Sequence, residues 1–492
     1  MAINYQSLTN ILEFLARFFS FIVERIAQVF FFSIAGVPVI LLWIVFSSIF
    51  FTIKFRWLNI RGFPHAIALV RSKDHLHLAE EVGQVPPFQA LTTALSGTVG
   101  LGNIAGVAIA IALGGAGAVF WMSLGGFFAM SSKFIECTLG SQYRLVTADG
   151  KTIGGPMYYL SQGLAKLNKP KLGKTLAVLF AIFCLGASLG GGNMFQANQS
   201  WAAVATVLPS IENYSWLYGL TVAGLVGLVI IGGINRIGEV TAKLVPLMVT
   251  IYLSAAFYVI FLHWQAIPRV ITEIITQAFF PQSIEGGVVG LFVLAMRRSI
   301  FSHGGGLGSA AIAHAAAKNP EPIAEGLIAI LEPFIDTVII CNITALVILL
   351  TGQYHPGTDI NLVSGSELVA QAFAQVLPWF PPLLAVVIFL FGFSTMVTWS
   401  YYGEISWIYL FGQKTTILYK LLFLVFVFMG AVINLGAIVD FSDIMLLAMA
   451  IPNIAGCFFL MPQVEAALEI FWAKYIVSNF SLLLENEQVQ QK

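Results

Sequence analysis

Charge is what this chain has least of: 10% of its 492 residues are Asp, Glu, Lys or Arg, against roughly a quarter in an ordinary soluble domain. That scarcity excludes a soluble globular protein. The formal net charge of zero removes any overall electrostatic case for nucleic acid or an acidic partner. Cysteine is scarce as well. Cys137, Cys184, Cys341 and Cys457 form no CxxC pair and all fall in apolar runs, so they read as small apolar filler rather than disulfides or metal ligands. His65, His75, His77, His263, His314 and His355 are scattered through predicted loops and helix ends, with no HExxH or Cys-His cluster. No nucleophile has a plausible base, so neither an enzyme nor a bound cofactor is expected.

What is abundant is apolar: 58% of residues are hydrophobic and 41 are Phe. Runs of about 20 apolar residues, enough to cross about 30 Å of hydrocarbon as helix, recur along the whole chain. They predict an all-α, multi-pass protein of a cell membrane, plasma or bacterial inner, with the lipid bilayer as its solvent. Spans are expected at 30–53, 88–113, 116–137, 176–207, 215–233, 244–264, 286–316, 322–351, 380–410, 417–438 and 443–466, eleven in all. Lys and Arg crowd the alternate loops, from Lys54, Arg56, Arg61, Arg71 and Lys73 through Arg144 and Lys151 to Lys318 and Lys414, while Arg17, Arg25 and Arg269 are the basic residues of the other face. By the positive-inside rule the N-terminus lies outside and the C-terminus inside. Arg17, Glu24 and Arg25 among aromatic residues fit a retained amphipathic segment over 1–29. The remaining divisions are an extra helix and basic loop over 30–87, helix sets over 88–264 and 286–466, and a tail over 467–492.

The two sets begin alike. "SGTVGLGNIAG" from Ser96 and "SHGGGLGSAAI" from Ser302 share S-x-x-x-G-L-G, and each interrupts a span. Five helices per set is an odd number, so the second set enters from the opposite side, the pattern of an inverted repeat with two broken helices. Glycine inside a helix costs up to about 1 kcal/mol, so these breaks need a reason. One reading is close helix packing, through the Gly102/Gly106 GxxxG pair. The other is an unwound stretch whose freed N–H groups bind an anion while its carbonyls bind a cation. Gly97, Gly100 and Gly102 do not share a helical stripe, which favours unwinding there; Gly106 fits packing.

Polar residues near the breaks are the candidate side-chain ligands. Ser96, Thr98 and Asn103 flank the first, and Ser302, His303 and Ser309 the second. In "GGGNMFQANQS", Asn193, Gln196 and Ser200 share one face at helical spacing, as a cavity wall or as interhelical glue. Ser394, Thr395 and Thr398 in "FGFSTMVTWS" offer hard oxygens suited to Na⁺. Among intramembrane charges, Lys133 and Glu136 are expected to pair locally. Arg297 and Arg298 are expected either to pair with Glu332 and Asp336 or to gate and steer the substrate.

The motifs "ALSGTVGLGNIAGVAIAIALGGAGAVFWM", "GGPMYY", "GGGNMFQANQ", "GGINRIGEVTAKLVP", "GLGSAAIAHAAAK", "FIDT" and "TWSYYGE" together resemble the alanine or glycine:cation symporter family over nearly the whole chain. The resemblance implies a LeuT-type five-plus-five fold and import of a small neutral amino acid, alanine or glycine, driven by Na⁺ or, in fewer members, H⁺. It nominates Thr98, Gly100, Leu101 and Gly102 for the substrate carboxylate, and the carbonyls of Ser96 and Val99 with Ser394 and Thr395 for Na⁺. Asn193 and Gln196 would contact the amino acid, with Ser302 and His303 beside it. One departure stands out. Family members commonly read Ser-Asn-Glu-Ala-Gly where this chain has Ser302, His303, Gly304, Gly305 and Gly306. The missing carboxylate raises two alternatives, a proton-coupled member with His303 titrating or an altered substrate such as glutamine; a non-transporting receptor and a channel are separate rivals.

Overall fold

A computed structural model describes residues 23–490 apart from 26, 29, 72–82, 148–149, 282–285, 320, 355–364 and 434. Most of the amphipathic segment expected over 1–29 therefore lies outside the described residues. The principal helices are α1 (Val39–Lys54), α2 (Pro87–Thr98), α3 (Gly102–Gly114), α4 (Gly117–Gln142), α5 (Pro170–Val207), α6 (Ser215–Ile230), α7 (Gly233–Leu262), α8 (Gly287–His303), α9 (Ala310–Ala315), α10 (Pro322–Thr351), α11 (Phe380–Phe411), α12 (Thr416–Val432) and α13 (Leu435–Gln490). Proline stands in the first turn of α2, α5, α10 and α11, where its missing N–H costs no helical hydrogen bond. Two-residue hairpin strands at Ser33–Ile34/Val37–Pro38 and Leu145–Val146/Thr152–Ile153 are the only sheets among the described residues.

Eight helices are long and apolar enough to cross a membrane, or up to ten if each of two bent pairs is one span. The bent pairs are α1 with Leu58–Arg71, at 64°, and α2 with α3, at 44°. The seventh expected span is two pieces, α8 and α9, separated at Gly304–Gly308. Shorter helices, Pro156–Lys166, Ile267–Phe279 and Gly365–Ala374, occupy stretches the sequence reading left as loops. Each is shorter than a span, and a search for span-length apolar runs passes over such helices.

Burial separates centre from rim. The apolar windows of α10, α11 and α13 are 61%, 67% and 67% buried, whereas those of α7 and the α12 region are 28% buried. The central helices approach closely through glycine. A Cβ on Gly140 of α4 would lie 2.6 Å from the Ala311 carbonyl of α9, so these backbones touch. Gly106 has no such role: a Cβ there would meet only the Leu101 carbonyl, at 3.8 Å. Packing is thus not what this glycine serves. It closes a π-helical turn over Gly102–Gly106, its N–H bonding five residues back to Leu101.

Candidate functional site

α2 stops at Thr98, and Val99, at ψ 76°, leaves the helical region. The chain re-enters a helix only at Gly102, so Val99, Gly100 and Leu101 are unwound in a fully buried setting. Side-chain oxygens cover the freed donors. The Gly100 N–H is shared between Asn103 Oδ1 at 3.1 Å and the Thr98 carbonyl at 2.8 Å, and the Leu101 N–H donates to Gln196 Oε1 at 3.0 Å. The freed acceptors face α11: Thr395 Oγ1 donates to the Ser96 carbonyl at 2.8 Å, and Trp399 Nε1 to the Gly97 carbonyl at 2.8 Å. Gly100 is pinned in place, since a Cβ there would sit 2.5 Å from Thr395 Oγ1.

Three π-helical segments carry the polar groups of this region: Gly102–Gly106, Gly190–Met194 in α5 and Phe334–Cys341 in α10. Such wide turns concentrate at functional sites. Here they split the polar stripe read from the sequence. Gln196 reaches the first break, but Asn193 donates to the Phe423 carbonyl of α12 at 2.8 Å and Ser200 accepts from Tyr218 of α6 at 2.8 Å. The geometry therefore does not bring Asn193 to the break. The hydroxyl pair on α11 also divides. Both hydroxyls reach back to the Phe391 carbonyl, at 2.9 Å for Thr395 and 3.0 Å for Ser394, but Thr395 also meets the Ser96 carbonyl of the break, whereas Ser394 faces Met248 Sδ of α7. Three buried oxygens of this region have no partner among the described residues: Ser96 Oγ, Thr398 Oγ1 and the Tyr402 hydroxyl, the last 2.9 Å from where a Gly97 Cβ would sit.

The second break is built differently. Gly304, Gly306 and Gly308 take φ of +60°, +85° and +84°, a region that disfavours side chains. Its backbone is bonded to the protein: Gly308 N–H to Glu136 Oε2 at 3.0 Å, Gly306 carbonyl to Asn453 Nδ2 at 2.8 Å, and Gly305 N–H to His303 Nδ1 at 2.8 Å. His303 lines a cavity of about 120 Å³ between α1, α4 and α8 that includes no residue of the first break. Ser302, in contrast, joins the two breaks. Asn103 Nδ2 donates to Ser302 Oγ at 3.0 Å and to the Asp336 carbonyl at 2.9 Å.

The charges pair otherwise than expected. Lys133 does not bond Glu136; its ammonium donates to Glu332 Oε2 at 3.0 Å. Arg297 and Arg298 pair not with Glu332 or Asp336 but with Asp443 of α13, with Arg297 also 3.4 Å from Asp440. Helical spacing gave the face of each charge but not the neighbour that packs there. Arg298 also lies over the ring of Phe301, which packs edge-on to Phe195 at 4.9 Å. Phe301 in turn presses on the first break, 3.0 Å from where a Gly102 Cβ would sit. Released from any arginine, Asp336 becomes the residue the sequence reading missed. Its Oδ1 accepts from Thr337 at 2.5 Å, and its Oδ2 is buried with no partner among the described residues. An intramembrane carboxyl group with no ion-pair partner among the described residues, beside an unwound helix, is a functional-site signal, and its sequence trace was the Asp of "FIDT".

Broken helices, buried unsatisfied oxygens and scarce intramembrane charge together define a helical membrane transporter. The fold is shared with a solved one: MhsT in complex with L-phenylalanine superposes with TM-score 0.53 at 14% identity, over 76% of this chain and 89% of that one. The family model for the sodium:alanine symporter family matches residues 20–478, and the chain belongs to that family. A sodium/alanine symporter, AgcS of Methanococcus maripaludis, is 37% identical over 88% of this chain and 94% of its own length. A probable sodium/glutamine symporter, GlnT of Bacillus subtilis, is 33% identical over 86% of this chain and 85% of its own. The chain is thus a multi-pass membrane symporter rather than an enzyme.

Proposed function

We propose that this protein imports alanine or glycine together with Na⁺ by alternating access, through eleven spans with the N-terminus outside and the C-terminus inside. The 88–264 and 286–466 sets form the inverted repeat, preceded by the 1–29 and 30–87 regions and followed by the 467–492 tail. The observation that carries the reading is the unwound Val99–Leu101 turn, where the Leu101 amide is held by the neutral oxygen of Gln196 and the Gly100 amide is shared between the Asn103 oxygen and the Thr98 carbonyl. A substrate carboxylate makes shorter, charge-assisted bonds to such amides. It displaces those oxygens, with Thr98 and Gly102 at the edges of its seat. Na⁺ takes the carbonyls of Ser96 and Val99 with the Thr395 hydroxyl, and Ser302 and Asp336 close the seat on the side of the substrate ammonium. The Phe301–Phe195 pair and the Arg298–Asp443 pair behind it shut the site from the outer face. Phe301 fills the space over Gly102, which suits a small side chain.

Uptake by proteoliposomes tests this. With labelled alanine, glycine and glutamine, an imposed Na⁺ gradient at fixed pH is expected to concentrate alanine or glycine inside. Preference for glutamine changes the substrate; accumulation under a proton gradient alone changes the coupling ion. Equilibration without accumulation describes a channel, and binding without flux a receptor.

A further inference from the structure

The Lys- and Arg-rich end of the second broken helix contains a group of ionisable residues that the transport reading leaves unused. His314, on α9, is fully buried between two carboxylates of α10: Nδ1 lies 2.6 Å from Glu325 Oε1 and Nε2 2.5 Å from Glu332 Oε1. A carboxylate is an acceptor only, and a neutral imidazole has a single N–H. Two such contacts therefore require one more proton than a neutral histidine and two carboxylates possess, whether it resides on the ring or on an oxygen.

The chain of bonds extends both ways. Glu332 continues to Lys133, whose Nζ is 3.7 Å from where a Gly304 Cβ would be. Glu325 continues to Asn319 Nδ2 at 2.8 Å, and the Asn319 carbonyl accepts from Arg144 at 2.7 Å. The other titratable groups around the triad are Glu136 and Cys137 from α4, Asp336 from α10 and Tyr402 from α11; α2 and the Thr152–Ile153 strand bring none. Cys137, His314 and Glu332 have metal-like spacing. Both ring nitrogens lie at hydrogen-bond distance from carboxylates and Lys133 already bonds Glu332, however, so a proton satisfies these contacts as they stand.

We propose that Glu325, His314 and Glu332 form a proton-binding site whose occupancy decides whether α9 stays docked on α10. With the proton, imidazolium and Lys133 balance two carboxylates. Without it, a nitrogen lone pair faces an oxygen lone pair at hydrogen-bond distance, and the cluster carries one uncompensated negative charge in a dry setting. A site that binds a proton more tightly docked than undocked shifts the docking equilibrium by that difference in affinity. Raising pH on the Lys- and Arg-rich face therefore frees α9, which opens the site to that face, and lowering pH closes it. The proposal rests on the transport reading for its consequence, but not for its test.

Spin labels at Lys171→Cys and Lys318→Cys in the full-length protein, reconstituted in lipid, report the position of the chain after α9 by pulsed distance measurement. The native cysteines are buried and stay unlabelled. Between about pH 5.5 and about pH 8.5, the histidine range, the ratio of displaced to docked distances is expected to rise, by at most about tenfold per pH unit for one proton. His314→Gln removes the response but risks misfolding. Glu325→Gln is the safer variant: its amide donates to a neutral His314 while its oxygen still accepts from Asn319, so all bonds are kept without the extra proton. Its ratio is expected to change less than about twofold over the same range. Distances that ignore pH in the parent, or an unchanged response in Glu325→Gln, overturn the proposal. Alanine uptake in the same vesicles keeps the readings apart: uptake with pH-independent distances sinks only the proton site, and a pH response without uptake sinks only the transport reading.

Discussion

The two breaks share a glycine motif and differ in what satisfies their backbones. At the first, the Gly100 and Leu101 amides are covered by neutral amide side chains, and unpartnered oxygens stand nearby. At the second, a carboxylate, an asparagine and a histidine of the protein itself bond the backbone at Gly308, Gly306 and Gly305. The first is thus the break we propose a ligand enters, and the second is held by the protein's own side chains. Helix breaking alone does not make a binding site; a backbone group must also be left with a partner that a ligand can outcompete.

Substitutions at the first break should alter ligand affinity and spare stability, and those at the second the reverse. The largest effect is expected from Gly100→Leu, which drives a side chain into Thr395. Alanine uptake should fall by about 100-fold, the scale of lost charge-assisted hydrogen bonds to the proposed carboxylate seat, while membrane insertion persists; retained alanine binding would make the stretch a packing motif. Asp336→Asn should raise the alanine or Na⁺ concentration for half-maximal uptake by about tenfold or more, the scale of one lost charged hydrogen bond. Thr395→Val should raise the Na⁺ requirement by about three- to tenfold and leave uptake at saturating Na⁺ nearly intact. Asn453→Ala removes the bonds to Gly306 and Glu136, so unfolding in detergent should be easier by about 2 kcal/mol, with alanine affinity changed less than about threefold. Ser394→Ala is expected to be smallest, under about twofold in Na⁺ dependence, because that hydroxyl bonds its own helix and faces Met248 rather than the backbone of the break. An effect equal to that of Thr395→Val would return Ser394 to the cation set.

Much of the class was legible beforehand. Apolar run length gave the membrane helices, and the paired glycine motifs located both breaks at the residues where α2 and α8 end. Within the site, Thr395 and Gln196 lie at the first break as expected. Asn193 and Ser394 do not, because an inserted π turn and the crossing of α11 past α2 rotate them toward α12 and α7. His314 sat in the sequence as one scattered histidine. Only the return of α10 alongside α9 places Glu325 and Glu332 on its two nitrogens.

The sequence by itself determined that this chain must live in a bilayer as helices and that two of them must break, since run length, charge scarcity and glycine act locally. Only the tertiary structure decided the partners: Lys133 with Glu332, the arginines with Asp443, and Asp336 with a carboxylate oxygen left unpaired. Periodicity fixes the face on which a side chain lies, but the neighbour across that face belongs to another part of the chain, and its register is set by packing.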